Sequence, residues 1–308
     1  MMRPFYIIFA LLLLTACDDG DIITVDLEFD KELDLCTNNT ESFLIYDTRQ
    51  DPNESLSLII PRGINQEYPF TEATPIGSPQ PFPINMSTTR FIYRTYNRTI
   101  GSNELCDPVP PADLTIVNDY EAPSGTAFAT VTIEDDDNDG IPSDLEGRGE
   151  MDENGDFPNA QDWDGDGTPD YLDQDDDNDN VPTINEIDND DLDGDDDPTT
   201  NPLDTDGDGD PDYLDLDDDG DGVNTILEDE DQDKNPRNDL NVNADGITVP
   251  HYLNTLEVTD HGNPGLTDNN TYTRTVTVNF LIDNFNLDIL SADEIDFGTL
   301  TYSFNLPD

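Results

Sequence analysis

Alternating apolar and polar positions mark short strands in the first half of the chain. At 23–29 the order Ile-Thr-Val-Asp-Leu-Glu-Phe has the period of two that places one face of a strand against a core. No helical period accompanies this pattern, which predicts a mainly β fold with a small β-sandwich over 23–134. Further short runs, rich in β-branched and aromatic residues, occupy 42–46, 56–60, 91–96, 114–117 and 127–133.

Proline interrupts the strand pattern at 61–83, where it recurs throughout the segment. Proline cannot donate a hydrogen bond to a neighbouring strand, and it is therefore excluded from the middle of a sheet. We expect a long loop here rather than a pair of central strands.

Strand-like alternation returns only in the C-terminal segment, 247–308. Two arrangements are open: the segment forms a small domain of its own, or it completes the N-terminal sandwich and makes the intervening region an insertion. The residues that define the two apolar faces are Val276, Val278, Phe280 and Ile282, followed by Leu300, Tyr302, Phe304 and Leu306.

The intervening region is strongly acidic. The chain carries 73 Asp and Glu against 11 Lys and Arg, a formal net charge of -62, and 42 of the acidic residues lie in 135–233. Nucleic acid and an anionic membrane surface would both be repelled, so neither is an expected partner of this chain. Cations are the expected partners.

An internal repeat organises the acidic region, which is predicted to form an array over 135–239. Residues 162–186 match 204–228 at 18 of 25 positions, and each copy contains two consecutive 12-residue frames. One more frame precedes them. The frames are frame 1 (135–146), frame 2 (162–173), frame 3 (175–186), frame 4 (204–215) and frame 5 (217–228).

Each frame has the residue spacing of a calcium-binding loop. Such a loop supplies side-chain oxygens at positions 1, 3 and 5, a backbone carbonyl at 7, a group at 9 and a carboxylate at 12, with a turn glycine at 6. The residues at these six ligand positions are Asp135, Asp137, Asp139, Ile141, Ser143 and Glu146 in frame 1; Asp162, Asp164, Asp166, Thr168, Asp170 and Asp173 in frame 2; Asp175, Asp177, Asp179, Val181, Thr183 and Glu186 in frame 3; Asp204, Asp206, Asp208, Asp210, Asp212 and Asp215 in frame 4; and Asp217, Asp219, Asp221, Val223, Thr225 and Glu228 in frame 5.

Variation at positions 6 and 12 bears on how well each frame would bind calcium. Glycine fills position 6 in four of the five, and Asn180, which tolerates positive φ, replaces it in frame 3. Position 12 is Asp173 or Asp215 in frames 2 and 4, where the shorter side chain is less suited to bidentate binding than Glu. We expect about five calcium ions, with dissociation constants on the order of 10⁻⁴ to 10⁻³ M.

The frames differ from EF-hands because one residue separates frame 2 from frame 3 and frame 4 from frame 5, which leaves no room for helices. The run Asp-Gly-Asp-Gly-Thr-Pro-Asp-Tyr-Leu-Asp at 164–173 resembles the thrombospondin type 3 repeat. The resemblance covers 135–228 and implies a string of calcium ions that forms the core of an extended segment. The chain departs from the family in lacking the cysteines that usually cross-link its repeats. A disordered acidic linker is the alternative interpretation.

The N-terminus has the pattern of an export signal. Arg3 precedes an apolar run at 5–14 that is too short to cross a bilayer, so 1–16 is predicted to be a signal peptide. The following Leu14-Thr15-Ala16-Cys17 resembles the lipobox of bacterial lipoproteins, which implies a lipid anchor on Cys17 and a short tether at 17–22. An ordinary secretion signal cleaved nearby is the alternative.

The acidic run 18–21 resembles the surface-export signal of Bacteroidetes lipoproteins. This resemblance implies an outer membrane lipoprotein exposed at the cell surface, with a periplasm-facing lipoprotein as the alternative. In either oxidising compartment we expect a disulfide between Cys36 and Cys106, and two free thiols are the alternative. The disulfide would close a loop of about 70 residues and stabilise the fold by about 4 kcal/mol.

The chain is predicted not to be an enzyme. His251 and His261 are its only histidines, and no phosphate-binding loop, nucleophile elbow or His-x-x-x-His motif accompanies them. The cysteines are assigned to lipid and disulfide, and the calcium frames account for most carboxylate pairs.

Two functions fit these patterns. In the first, calcium orders a structural or spacer segment of a cell-surface lipoprotein. In the second, the protein is an adhesion lipoprotein whose β region captures a glycan or a protein, with Tyr93, Tyr96 and Tyr302 as contact residues if they are not part of the core. The sequence identifies no such ligand.

Overall fold

The computed structural model describes residues 29–152, 155–187, 194, 197–267 and 271–306, with the backbone alone at 290–292. The predicted signal peptide, tether and lipid anchor at Cys17 lie outside these residues, as does the strand predicted at 23–29 up to residue 28. No helix among the described residues is long and apolar enough to span a membrane.

The fold is mainly β, as predicted, and its principal sheet has nine strands in the order β4-β7-β10-β11-β1-β2-β3-β5-β6. The strands predicted at 42–46, 56–60 and 91–96 are confirmed, whereas those predicted at 114–117 and 127–133 are shifted. The strands are β1 Glu32–Cys36, β2 Ser42–Arg49, β3 Glu54–Pro61, β4 Gln80–Ile84, β5 Arg90–Tyr96, β6 Ile116–Glu121, β7 Gly125–Thr132, β8 Leu240–Val242, β9 Thr248–Pro250, β10 Tyr272–Leu287 and β11 Leu290–Leu306.

Strand β1 allows the sheet to curl so that its two halves face each other. Glu32 and Leu33 pair with β11 in parallel, and the following residues of β1 pair with β2 in antiparallel. Phe91 of β5 consequently lies edge-on to Phe285 of β10 and Phe297 of β11, at ring-centroid distances of 5.4 and 5.7 Å. One apolar core therefore fills the space between the halves, as in a sandwich.

The C-terminal strands belong to this same sheet. β10 pairs with β7, the last strand before the acidic region, and β11 pairs with β1. Val276, Val278, Phe280 and Ile282 all point into the core, as their alternation predicts. Of the two arrangements left open by the sequence, the structure thus has the acidic region inserted between β7 and β10.

One strand lies where only a loop is predicted. β4 contains Pro81 and Pro83, but it is at the edge of the sheet and pairs with β7 alone. Proline is tolerated at an edge because one side of the strand has no partner that needs an N–H donor. The prediction that 61–83 contains no central strand is correct, and the edge strand was missed.

Three further features bear on the sequence-based expectations. Cys36 and Cys106 form a disulfide with Cα atoms 5.3 Å apart, which fastens the end of β1 to the loop after β5. Tyr93 and Tyr96 are buried in the sheet. The hydroxyl of Tyr302 donates to the carbonyl of Phe70 and accepts from its amide. These tyrosines are thus used within the fold.

Candidate metal centre

All five frames have one loop geometry, set by a backbone hydrogen bond that closes each frame. The N–H of position 9 donates to the carbonyl of the residue before position 1, at 2.9 to 3.0 Å in every frame. In frame 1, for example, Ser143 donates to Glu134 at 3.0 Å. Positions 1 to 7 are thereby held in a compact loop.

The loop needs two residues with positive φ, at positions 4 and 6. Position 6 is Gly140, Gly167, Gly209 or Gly222, and in frame 3 Asn180 adopts the same conformation with φ of 75°. Position 4 is always Gly or Asn, the residues that reach this region most readily. The expectation that Asn180 can replace the turn glycine is confirmed, and the requirement at position 4 was missed.

The carboxylates at positions 3 and 5 each bind the backbone through one oxygen. In frame 1, Asp137 Oδ1 accepts from the N–H of Asp139 at 3.2 Å, and Asp139 Oδ1 accepts from the N–H of Ile141 at 2.8 Å. In frames 1, 3 and 5 the second oxygen is buried and accepts no hydrogen bond from the described residues. The oxygens without a donor are those of Asp137, Asp139, Asp177, Asp179, Asp219 and Asp221.

Frames 1, 3 and 5 bury most of their carboxylates, whereas frames 2 and 4 bury only Asp170, Asp173 and Asp212. Asp162, Asp166, Asp206 and Asp208 are exposed. The buried carboxylates at the ligand positions of frames 1, 3 and 5 are Asp137, Asp139, Glu146, Asp177, Asp179, Glu186, Asp219 and Glu228. The position-12 glutamates thus lie in the frames that bury most of their carboxylates, and the array contains two kinds of frame.

Two clusters of three buried carboxylates connect frames that are not consecutive. Within each cluster, one oxygen from each residue lies within 4.8 Å of the others. Each cluster combines positions 5 and 12 of one frame with position 2 of the frame after next. Junction A is Asp139 and Glu146 of frame 1 with Asp176 of frame 3, and junction B is Asp179 and Glu186 of frame 3 with Asp218 of frame 5.

Burial and mutual repulsion raise the pKa of these carboxyls far above the ordinary value of about 4. Burial, followed by the charges of Asp139 and Asp137, raises the pKa of Glu146 to about 12. Burial and then the charge of Asp139 raise the pKa of Asp176 to about 10. Such groups ionise at neutral pH only if a cation lies among them.

The ligand candidates at position 2, Asp176 and Asp218, are not among the residues predicted from the sequence. A run of three aspartates opens frames 1, 3 and 5, whereas Trp163 and Thr205 occupy position 2 in frames 2 and 4. This difference between the frames was the sequence signal that could have identified position 2 as a ligand candidate. The EF-hand scheme assigns no ligand to position 2, so the middle aspartates were counted only as charge.

The side chains at position 9, which are predicted ligands, also hydrogen-bond within their own frames. The hydroxyls of Ser143, Thr183 and Thr225 accept from the N–H of position 2, at 2.9, 3.2 and 3.5 Å. In frames 2 and 4, Asp170 and Asp212 accept from the corresponding N–H at 2.7 Å. The position-9 side chains thus fasten the start of their own frame.

Asp136, at position 2 of frame 1, has guanidinium groups as partners. Arg148 Nη1 lies 2.8 Å from Asp136 Oδ2, and Arg274 Nη2 lies 3.3 Å from Oδ1. Arg274 belongs to β10, and its Nε also donates to the Asp136 carbonyl at 3.0 Å. Asp136 and Arg274 are both buried, so this contact connects the array to the sheet.

Arg274→Ala is expected to lower the free energy of unfolding by about 3 kcal/mol, because it leaves the buried Asp136 with one cation instead of two. Urea unfolding in excess calcium measures this change. Arg94→Ala is the control, since Arg94 pairs with the half-exposed Asp119 at the surface and should contribute less than about 1 kcal/mol. Equal effects of the two substitutions would contradict this role for Arg274.

The repeat continues beyond frame 5, to Asn254. The 3₁₀ turns Asp170–Leu172, Asp212–Leu214 and His251–Leu253 have the same form, and a proline precedes each of them. The structure places β9 and this last turn outside the nine-stranded sheet, although the predicted C-terminal segment begins at 247. Pro-His-Tyr-Leu-Asn at 250–254 was the available signal, hidden because His251 replaces an aspartate.

Each of these turns places a tyrosine beside a position-2 carboxylate. Charges near Tyr171 include Asp136, those near Tyr213 include Asp176, and those near Tyr252 include Asp218, and burial raises the pKa of all three phenols. Tyr213 also packs with Ile141, Ile187 and Leu214 in a small apolar cluster. The array therefore has apolar contacts of its own between non-consecutive frames.

A sixth loop at 229–240 shares with the five frames the positive φ at positions 4 and 6. Gln232 and Lys234 occupy its positions 4 and 6 with φ of 59° and 72°. The fully buried Asp229 accepts from the N–H groups of Asp233 and Lys234, at 3.2 and 2.7 Å. The aspartates at 229, 231 and 233 were the available signal, which the lysine at the turn position obscured.

No protein-family model, curated protein or solved structure matches this chain.

Proposed function

We propose that the acidic array binds calcium and that calcium orders it as a structural segment of a lipid-anchored cell-surface protein. One observation carries the proposal: buried carboxylate oxygens converge in frames 1, 3 and 5 without hydrogen-bond donors. Burying an unpaired carboxylate costs several kcal/mol, so a cation among these oxygens would stabilise the observed arrangement.

Calcium fits these donors better than other common metal ions. Every candidate ligand within a frame is a carboxylate, hydroxyl or carbonyl oxygen, which selects hard cations and disfavours zinc or copper. Calcium accepts six to eight oxygens with irregular geometry, whereas magnesium requires a near-ideal octahedron at about 2.0 to 2.1 Å. A 12-residue loop with a terminal glutamate matches the larger and more tolerant ion.

The two kinds of frame should differ in affinity. Frames 1, 3 and 5 combine buried aspartates with a buried glutamate, so their ligands are held in place and little shielded by water. Frames 2 and 4 each expose two of the three aspartates at positions 1, 3 and 5, and they end in the shorter Asp173 and Asp215. We expect three tighter ions in the first group and two weaker ions in the second.

Calorimetric titration of the chain from residue 18 onward, in a background of magnesium, tests the proposal. We expect saturable uptake of about five ions, in two classes of affinity. Asp137→Asn with Asp139→Asn should remove one ion of the tighter class. The control is Asp245→Asn, which removes an exposed charge between β8 and β9, outside the five frames.

Weak uptake without saturation, or equal uptake by the Asp137→Asn, Asp139→Asn variant and the control, would contradict calcium binding by the frames. Such a result would favour the disordered acidic linker.

A further inference from the structure

We propose that Asp176 and Asp218 are metal ligands supplied across frames, so that one cation at each junction fastens two frames that are not neighbours in the chain. This assignment rests on the proposed binding of cations and names residues outside the calcium-loop scheme. It gives frames 1 and 3 each a ligand that their own twelve residues do not contain.

The first observation is the position of the two carboxylates. Asp176 is part of frame 3, yet its carboxylate groups with Asp139 and Glu146 of frame 1. At junction B, Asp218 of frame 5 stands in the same relation to frame 3. Because the same positions meet twice, the arrangement follows the repeat.

The second observation is that these side chains are buried without donors. Asp176 is 3% exposed and Asp218 is 1% exposed. Asp176 Oδ1, both oxygens of Asp218 and both oxygens of Glu146 accept no hydrogen bond from the described residues. Three buried carboxylates this close together repel one another unless a positive charge lies between them.

Asp136 is an internal comparison for this assignment. It occupies the same position of its frame as Asp176 and Asp218, but no frame precedes it. The positive charge it faces comes from Arg148 and Arg274. Two guanidinium groups thus stand where the proposed cations would face position 2 of frames 3 and 5.

The coordination number supports the same assignment. In frame 1, Asp135, Asp137, Asp139 and the Ile141 carbonyl offer one oxygen each and Glu146 offers two, which makes about six of the six to eight that calcium takes. At position 9 the hydroxyl of Ser143 accepts from the N–H of Asp136 and donates to its Oδ2, so it is already engaged within its own frame. Asp176 is the group placed to supply the next oxygen.

A shared ligand makes the sites interdependent. Asp176 reaches junction A only when frame 3 is folded, and Asp218 reaches junction B only when frame 5 is folded. An ion in frame 3 therefore favours binding in frame 1, and an ion in frame 5 favours binding in frame 3. By linkage the effect is reciprocal.

Calcium titrations of Asp176→Asn and Asp218→Asn test the assignment against Asp245→Asn, which removes one charge from an exposed position outside the five frames. Each junction variant should lose on the order of tenfold to a hundredfold in affinity for one tight ion, since loss of an outer-shell partner alone costs that much. The exposed control should keep all its affinities within about twofold. Unchanged tight sites in both junction variants would overturn the cross-frame role and leave binding by the frames intact.

A crystal of the calcium-loaded wild-type chain supplies a measurement independent of variant folding. Anomalous scattering from calcium should show an ion at each junction, with an oxygen of Asp176 or Asp218 about 2.3 to 2.6 Å away. Ions confined to the frames, with both carboxylates outside coordination distance, would refute the proposal. Absence of calcium from every frame would refute the proposed function as well.

Discussion

Chelation of calcium should unfold the array at 135–254 and leave the nine-stranded sheet folded. The sheet has its own apolar core and a disulfide, neither of which depends on a metal ion. The array has few buried apolar side chains, so ion coordination must replace the hydrophobic stabilisation that normally offsets chain entropy. Without cations, the buried carboxylates of frames 1, 3 and 5 repel one another and favour an expanded chain.

Hydrogen exchange measured by mass spectrometry resolves both regions in one sample. Amides of the frames should lose nearly all protection in chelator, while amides of β10 and β11 retain theirs. Excess magnesium in place of calcium is a control for ionic strength. Equal protection of the frames with and without calcium would show that the array folds without the ion, and a simultaneous loss in β10 would show that the two regions unfold together.

Acidification should have opposite effects on the array with and without calcium. In the absence of cations, burial raises the pKa of Asp139 to about 7, that of Glu228 to about 9 and that of Asp137 to about 10, from values near 4 in the unfolded chain. A raised pKa in the folded state contributes stability below the unfolded pKa, and that contribution is lost as the pH rises through the folded pKa. The calcium-free array should therefore be most compact near pH 4 to 5 and expand towards pH 8.

With calcium bound, the direction reverses, because the ion binds only ionised carboxylates and protons compete with it. The loaded array should be compact at pH 8 and lose its ions as the pH falls towards 4. Small-angle scattering at a series of pH values, with calcium or with chelator, gives the two curves. If both curves change in the same direction, the clustered carboxylates do not control the fold of the array.

The loops themselves could be predicted from the sequence because their requirements are local. Aspartates at alternate positions hydrogen-bond to N–H groups two residues ahead, and Gly or Asn allows the positive φ at positions 4 and 6. The substitution of Asn180 for glycine was interpretable for the same reason. Alternation in β10 likewise predicted which side chains face the core, since the period of a strand is a local property.

Contacts between distant residues could not be predicted in this way. Whether β10 pairs with β7 or forms a separate domain depends on the free energy of a whole core, to which many weak contacts contribute. The role of Asp176 depends on a fold that carries frame 3 back to frame 1, and the role of Asp136 depends on Arg274 reaching it from β10.

The sequence alone thus determined the mainly β class, the five frames and the candidate ligands within each frame, because each depends on residues a few positions apart. The tertiary structure decided that the array is inserted in one curled sheet, that three frames bury more of their carboxylates than the other two, and that Asp176 and Asp218 lie beside carboxylates of another frame. The physical reason is that burial and long-range electrostatics depend on which surfaces meet, and spacing along the chain does not specify that.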